Sequence, residues 1–208
     1  MERLVPLYPL AFLFLVACNS NVKSSPPAPE KKKDTLAIPA PVENPYASVD
    51  ISPMDMSYFP IDYPKIKMSG QARALPLARV IYSRPHLQGR HIFHEVLKFG
   101  EPWRLGANES TEIDFYKKVT IGGKSFPEGR YVIYCIPQPD QWTIILNSNI
   151  DSWGLKPDPS KDLAKFSVPV TTTNNPLEYY TMIFEKTDNG ANLVMAWDNV
   201  EARLPISF

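Results

Sequence analysis

The sequence predicts an all-β protein: an antiparallel two-sheet β-sandwich, of jelly-roll or immunoglobulin-like type, carried behind a leader segment and a tether. Three observations predict it. From Tyr46 onward, apolar residues recur with period two and are rich in aromatic and β-branched types. Turn residues punctuate the chain at short intervals, as in sandwiches. No long amphipathic helix is apparent, and only Ile92–Phe99 suggests a helical turn.

The chain opens differently. Arg3 precedes an apolar run, Leu4 to Ala17, that is too short and too near the N-terminus for a settled membrane span. It ends in LVAC, the order of a bacterial lipobox. Residues 1–17 are therefore expected to be a lipoprotein signal peptide. Cys18 is expected to carry the acyl chains (palmitate or similar) that hold the protein on a gram-negative outer membrane, at its periplasmic face or the cell surface. The rest of 18–45 has six prolines, a lysine triplet and no aromatic residue, so it reads as a disordered tether. Asp34-Thr35-Leu36 within it resembles an O-glycosylation triplet, weak as three residues are. The domain is expected over 46–208.

Within that domain, Ala78–Arg84 reads as one strand and Thr111–Ile121 as one or two. Gly122-Gly123 and Pro127–Gly129 read as turns. RYVIYCI, starting at Arg130, is apolar on both faces and is expected to be a central strand. Trp142–Asn147 and Glu178–Lys186 are further strands. Asp188-Asn189-Gly190 is the strongest hairpin signal, returning the chain through Ala191–Ile206.

Composition limits the function. Lys plus Arg number 22 and Asp plus Glu number 22, so the net charge is zero and no nucleic-acid partner is expected. With Cys18 assigned to lipid, Cys135 is left in an apolar strand and reads as a free buried thiol. His86, His91 and His94 fall close together and could meet on a turn with Glu95, but they read as exposed side chains and no metal or other cofactor is expected. Met54, Met56 and Met68 could be soft copper ligands, but packing on Tyr58 and Phe59 is the plainer account.

One polar stretch stands out: EPWRLGANESTEIDF, Glu101 to Phe115. It reads two ways. As a structural clamp, Arg104 satisfies loop carbonyls and pairs with Glu109 or Glu112, Gly106 permits a tight turn, Asn108 caps it, and Trp103 covers the sandwich edge. As a ligand site, Arg84, Arg90, Arg104, Asn108 and Glu109 supply polar contacts and Trp103 a stacking platform. A glycan, a small anionic molecule or an envelope protein would then be the partner. A structural or accessory lipoprotein with no small ligand is the rival. A glycoside hydrolase built on Glu109, Glu112 or Asp114 is a third reading. Glu112 and Asp114 would share a strand face, too close for the usual opposed pair, and no nucleophile elbow, zinc motif or phosphate loop is present. The enzyme question therefore leans to no.

Taken together, DISPMDMSYFP, ARVIYSRPHLQGRHIF, WRLGANESTEIDF, IGGKSFPEGRYVIYCIP, QWTIILN and NGANLVMAWDN resemble the bacterial lipoprotein family known as domain of unknown function 2911, over about Val49 to Ile206. The resemblance implies an envelope β-sandwich and brings no activity with it. The chain departs from the pattern at His86 and at His94, where a small residue is expected.

Overall fold

The computed structural model describes residues 50–72 and 74–208 and leaves the side chain of His94 undescribed. The expected signal peptide, Cys18, the tether and Thr35 lie outside the described residues.

Nine strands follow in chain order: β1 Met54–Phe59, β2 Ala78–Ser83, β3 Glu112–Phe115, β4 Val119–Ile121, β5 Lys124–Phe126, β6 Gly129–Pro137, β7 Gln141–Asn147, β8 Asp162–Thr187 and β9 Gly190–Ser207. A short helix, α1, spans Tyr63–Met68, and a single π-turn spans Ile92–Val96. The strands form one antiparallel sheet in the order β1-β2-β3-β6-β7-β8-β9-β4-β5. The two layers of the expected sandwich are thus halves of a continuous sheet. β8 joins them: Asp162–Pro169 pairs with β7, and from Val170 on it pairs with β9. The second half then lies over the first, since Phe59 of β1 meets Phe184 of β8 at 6.2 Å and Tyr82 of β2 meets Tyr180 edge-on at 5.7 Å.

Alternation explains which side chains reach the core. Ala78, Val80 and Tyr82 of β2, Ile113 and Phe115 of β3, and Tyr131, Ile133 and Cys135 of β6 all belong to it. On the opposite face of β6, Val132 and Tyr134 are buried too, as a central strand requires. Tyr134 hydroxyl donates to Asp162 at 2.9 Å. β9 begins in one phase, with Leu193, Met195 and Trp197 inward, and ends in the other, with Ala202, Leu204 and Ile206 inward. The phase changes at Asp198, which takes φ +51, the backbone signature of a bulge that glycine usually provides.

The sequence reading misses β5, three residues between two turn signals, and differs at three further elements. β8 begins at Asp162, not Glu178, because Thr171–Pro176 carries turn-like Asn and Pro residues inside a strand. β1 alternates apolar Met54, Met56 and Tyr58 with Asp55 and Ser57, but its methionines face outward, so the pattern does not mark a core face, and α1 buries no side chain, so it has no apolar stripe to detect.

Candidate functional site

The stretch 101–115 folds as a corner held mainly by its own polar atoms. Trp103 continues the row that β3 leaves unfinished: its N–H donates to Cys135 oxygen at 2.8 Å and its carbonyl accepts from Cys135 at 2.9 Å. Register directs the indole inward, and it is only 6% exposed. Trp197 stacks on it at 5.9 Å, while Trp142 and Tyr180 meet it at steep angles, 5.7 and 4.9 Å away. Its Nε1 donates to Gly106 oxygen at 3.1 Å. The expected sugar-stacking platform, and the covering of an open edge, are both corrected: Trp103 is a core side chain.

The neighbouring residues lock the turn. Gly106 is closely packed, and a Cβ there would sit 3.0 Å from the Ser83 carbonyl oxygen and push on it. Thr111 Oγ1 donates to Leu105 oxygen at 2.8 Å. Asn108, at φ +57, donates through Nδ2 to Asp50 at 2.6 Å and so ties the N-terminal end of the domain to the corner. Arg104 Nη1 donates to the carbonyl of Asn108 and, at 3.2 Å, to that of Trp153. Its guanidinium lies 5.9 Å from the centre of the exposed Trp153 ring. Gly154 permits that approach: at φ +81, a Cβ there would lie 2.6 Å from Ser110 Oγ and 3.1 Å from Arg104 Cβ. The clamp chemistry expected of Arg104 toward carbonyls is present.

The ion pairs differ from expectation. Arg104 has no carboxylate within 4 Å among the described residues, although Glu109 is near enough to favour its charge. Burial holds the Arg104 guanidinium below its usual pKa, and Glu109 only partly offsets that. Glu112 instead pairs with Arg130 at 3.2 Å. Asp114 sits between two arginines, accepting from Arg79 Nε at 2.9 Å and Arg130 Nε at 2.8 Å. This row follows directly from register, because Arg79, Asp114 and Arg130 are successive partners across β2, β3 and β6. The carboxylates considered for hydrolysis are therefore engaged, apart from exposed Glu109.

The remaining candidates are scattered. Arg84 donates to Tyr180 oxygen, Asp55 and Thr181 at 3.2, 3.3 and 3.2 Å, pinning β2 to β8. Arg90 folds back on the carbonyls of Leu87 and His86 at 2.8 and 3.1 Å. Arg84, Arg90 and Arg104 share no partner, so they do not form one site. His86 is not an exposed histidine: it stacks on Tyr179 at 5.1 Å and bridges to it through the backbone. His91 is exposed, and among the described residues no group of three or more His, Cys, Asp or Glu side chains converges. Met54 and Met56 share the outer face of β1, about half exposed, with Phe59 on the other side. Packing on Phe59 is thus excluded for them. Cys135 is a free, fully buried thiol, and burial pushes its pKa well up, away from nucleophile chemistry.

A cleft of about 430 Å³ opens beside the corner. Trp103 and Trp197 form its floor, Pro85, Val96 and Leu97 are among its apolar walls, and Arg104 lines one side. Small residues, Gly106, Ala107 and Gly154, leave the space open. Trp197, Val96 and Leu97 carry no polar motif, so nothing in the sequence marked them. Only their position around the π-turn brings them to Arg104.

No curated protein and no solved structure matches the chain. The segment, lining and register described above fall almost wholly within residues 64–206, which match the family model described as protein of unknown function DUF2911, and the chain belongs to that family.

Proposed function

We propose that this protein is a lipid-anchored module of the cell envelope whose β domain binds a small anionic ligand with an apolar body and does not transform it. One observation carries the reading. The Arg104 guanidinium lines an apolar-floored cleft with no carboxylate within 4 Å of it among the described residues, Glu109 acting on it only from farther off, and its Nε and Nη2 make no hydrogen bond among those residues. A guanidinium fork matches carboxylate and phosphate oxygens. The cleft volume of about 430 Å³ falls in the range of small-molecule sites. A sugar stacked on Trp103 is disfavoured, because that ring is buried among other aromatics.

Anchoring rests on the LVAC motif and the Pro/Lys-rich stretch that follows it. It predicts that Cys18→Ser abolishes incorporation of a palmitate analogue and releases the protein from the membrane fraction. Binding is tested by thermal shift with small aromatic and aliphatic carboxylates and phosphate monoesters. A rise in melting temperature that disappears in Arg104→Ala supports the seat. A parent protein that no acid shifts removes it, and leaves an accessory role through protein contacts.

A further inference from the structure

The π-turn Ile92–Val96 has a second flank, and the chemistry there is the reverse. We propose that the cleft on this flank is a saccharide-binding site, with Phe99 as the ring platform and Asp198 and its amide neighbours as the partners of sugar hydroxyls. The cleft holds about 430 Å³ and is lined by Phe93 and Phe99 with His91, Asn174, Asp198 and Asn199.

Its construction begins in the β8–β9 pairing. Thr172 pairs with Val200 and Leu177 with Asp198, so β8 carries extra residues that arch away from β9. Those residues include Thr173, Asn174 and Pro176, which form part of the cleft wall. On β9 the slip is absorbed by Asp198 at φ +51. Glycine adopts that backbone without strain, so an aspartate there places a carboxylate where the fold itself does not require one.

Among the described residues that carboxylate makes no hydrogen bond. Its side chain is only 14% exposed, yet among the described residues the one possible ion-pair partner within 4 Å is the His91 imidazole, whose Nδ1 lies 3.9 Å away. Asp114, comparably enclosed, accepts from two arginines. The side-chain amides of Asn174 and Asn199 also make no hydrogen bond among the described residues, and both line the same cleft. A partly desolvated acceptor with no donor is costly unless something supplies one. Phe99 completes the arrangement: one face stacks on Phe93 at 4.4 Å, and the side chain remains 40% exposed.

The ligand class follows. Two amides, each donor and acceptor, beside a carboxylate suit a ring edge bearing several hydroxyls. An exposed aromatic suits the apolar face of that ring. An anion is opposed by Asp198. An organic ammonium ion would use the carboxylate, the ring and the amide oxygens but offer no acceptor to the two amide NH2 groups. The site is independent of the anion seat, which uses the opposite flank of the turn.

The test uses the full chain and ligand-observed NMR. The probes are methyl glycosides of glucose, galactose, mannose and N-acetylglucosamine, with chitobiose and cellobiose, and choline and lysine methyl ester as cations. At least one saccharide is expected to bind. Phe99→Ala and Asp198→Asn are each expected to weaken it about tenfold or more, with circular dichroism unchanged. The proposal is overturned if no saccharide binds, if binding survives both substitutions, or if only the cations bind in an Asp198-dependent way. Should Asp198→Asn disturb the fold, Asn199→Ala, on an exposed residue, reads the same contact.

Discussion

The π-turn Ile92–Val96 separates two clefts of about 430 Å³ each, and they differ in what they leave unmatched. On one flank the free group is the Arg104 guanidinium above an indole floor. On the other it is the Asp198 carboxylate beside Phe99 and two asparagines. Other charged side chains of the domain are answered: Arg84 by Asp55, Arg79 and Arg130 by Asp114, Glu112 by Arg130. Density of polar residues therefore says little about where a ligand would sit. The stretch 101–115 is the most polar in its part of the chain, and nearly all its atoms serve the corner. The informative quantity is the group whose partner is missing.

The comparison can be broken first at the floor. Trp103→Ala removes an indole held by three aromatic neighbours, and should cost about 3–5 kcal/mol. Urea denaturation reads the loss. A cost under about 1 kcal/mol would mean that the indole is not a packed floor and that the two clefts are not separate.

The next effect is alkaline. Burial raises the pKa of Tyr82 to about 12, and raises those of Tyr134, Cys135 and Tyr180. The folded state therefore keeps protons that the unfolded chain releases above the ordinary values, 9.0 for Cys and 10.0 for Tyr. Stability from these groups is full below those values and is lost as pH rises toward about 12 for Tyr82. Melting temperature measured from pH 8 to 11.5 should fall steadily. Tyr180→Phe should flatten that slope. It should be neutral or slightly stabilising at pH 7, because the Tyr180 hydroxyl is buried with no hydrogen-bond partner among the described residues. A steeper slope in the variant would show that water reaches the floor.

Arg104→Ala should be milder. It deletes the donors to the Asn108 and Trp153 carbonyls and the contact with the Trp153 ring, for about 1–2 kcal/mol. A larger cost would make Arg104 chiefly a clamp and weaken its case as an anion seat.

The smallest effect has the opposite sign. Asp198→Gly relieves the left-handed backbone and should stabilise by about 0.5–1 kcal/mol while removing the carboxylate from the second cleft. A destabilised Asp198→Gly would show that the side chain serves the fold after all. The contrast between the flanks would then fail.

Much of the fold was legible in the sequence. β2, β6, β7 and β9 lie where period two placed them, and the Asp188-Asn189 turn joins β8 to β9 with Thr187 opposite Gly190. The double-sided apolarity of RYVIYCI correctly marked a strand with neighbours on both sides. The site was less legible. Trp103 and Arg104 were singled out and both line the first cleft, but the sequence could not tell a buried indole from an exposed one. Arg79 and Arg130 went unnoticed because their significance lies in register with Asp114. Asp198 was hidden because residues 193–197 are apolar in both phases, so the phase slip of β9 leaves no trace in the pattern.

The sequence by itself determined the all-β class, the place of most strands, the principal hairpin and the family resemblance. The first three follow from short-range period and turn chemistry, which act over a few residues, and the resemblance rests on the quoted segments taken together. Tertiary structure alone decided that the layers are one folded sheet, that Trp103 faces inward and that Arg104 and Asp198 stay unneutralised. These depend on partners far apart in the chain: Arg79 meets Asp114 from 35 positions away, and Arg84 meets Tyr180 from 96. Whether a charge is cancelled is a property of distance in space, which a one-dimensional pattern does not carry.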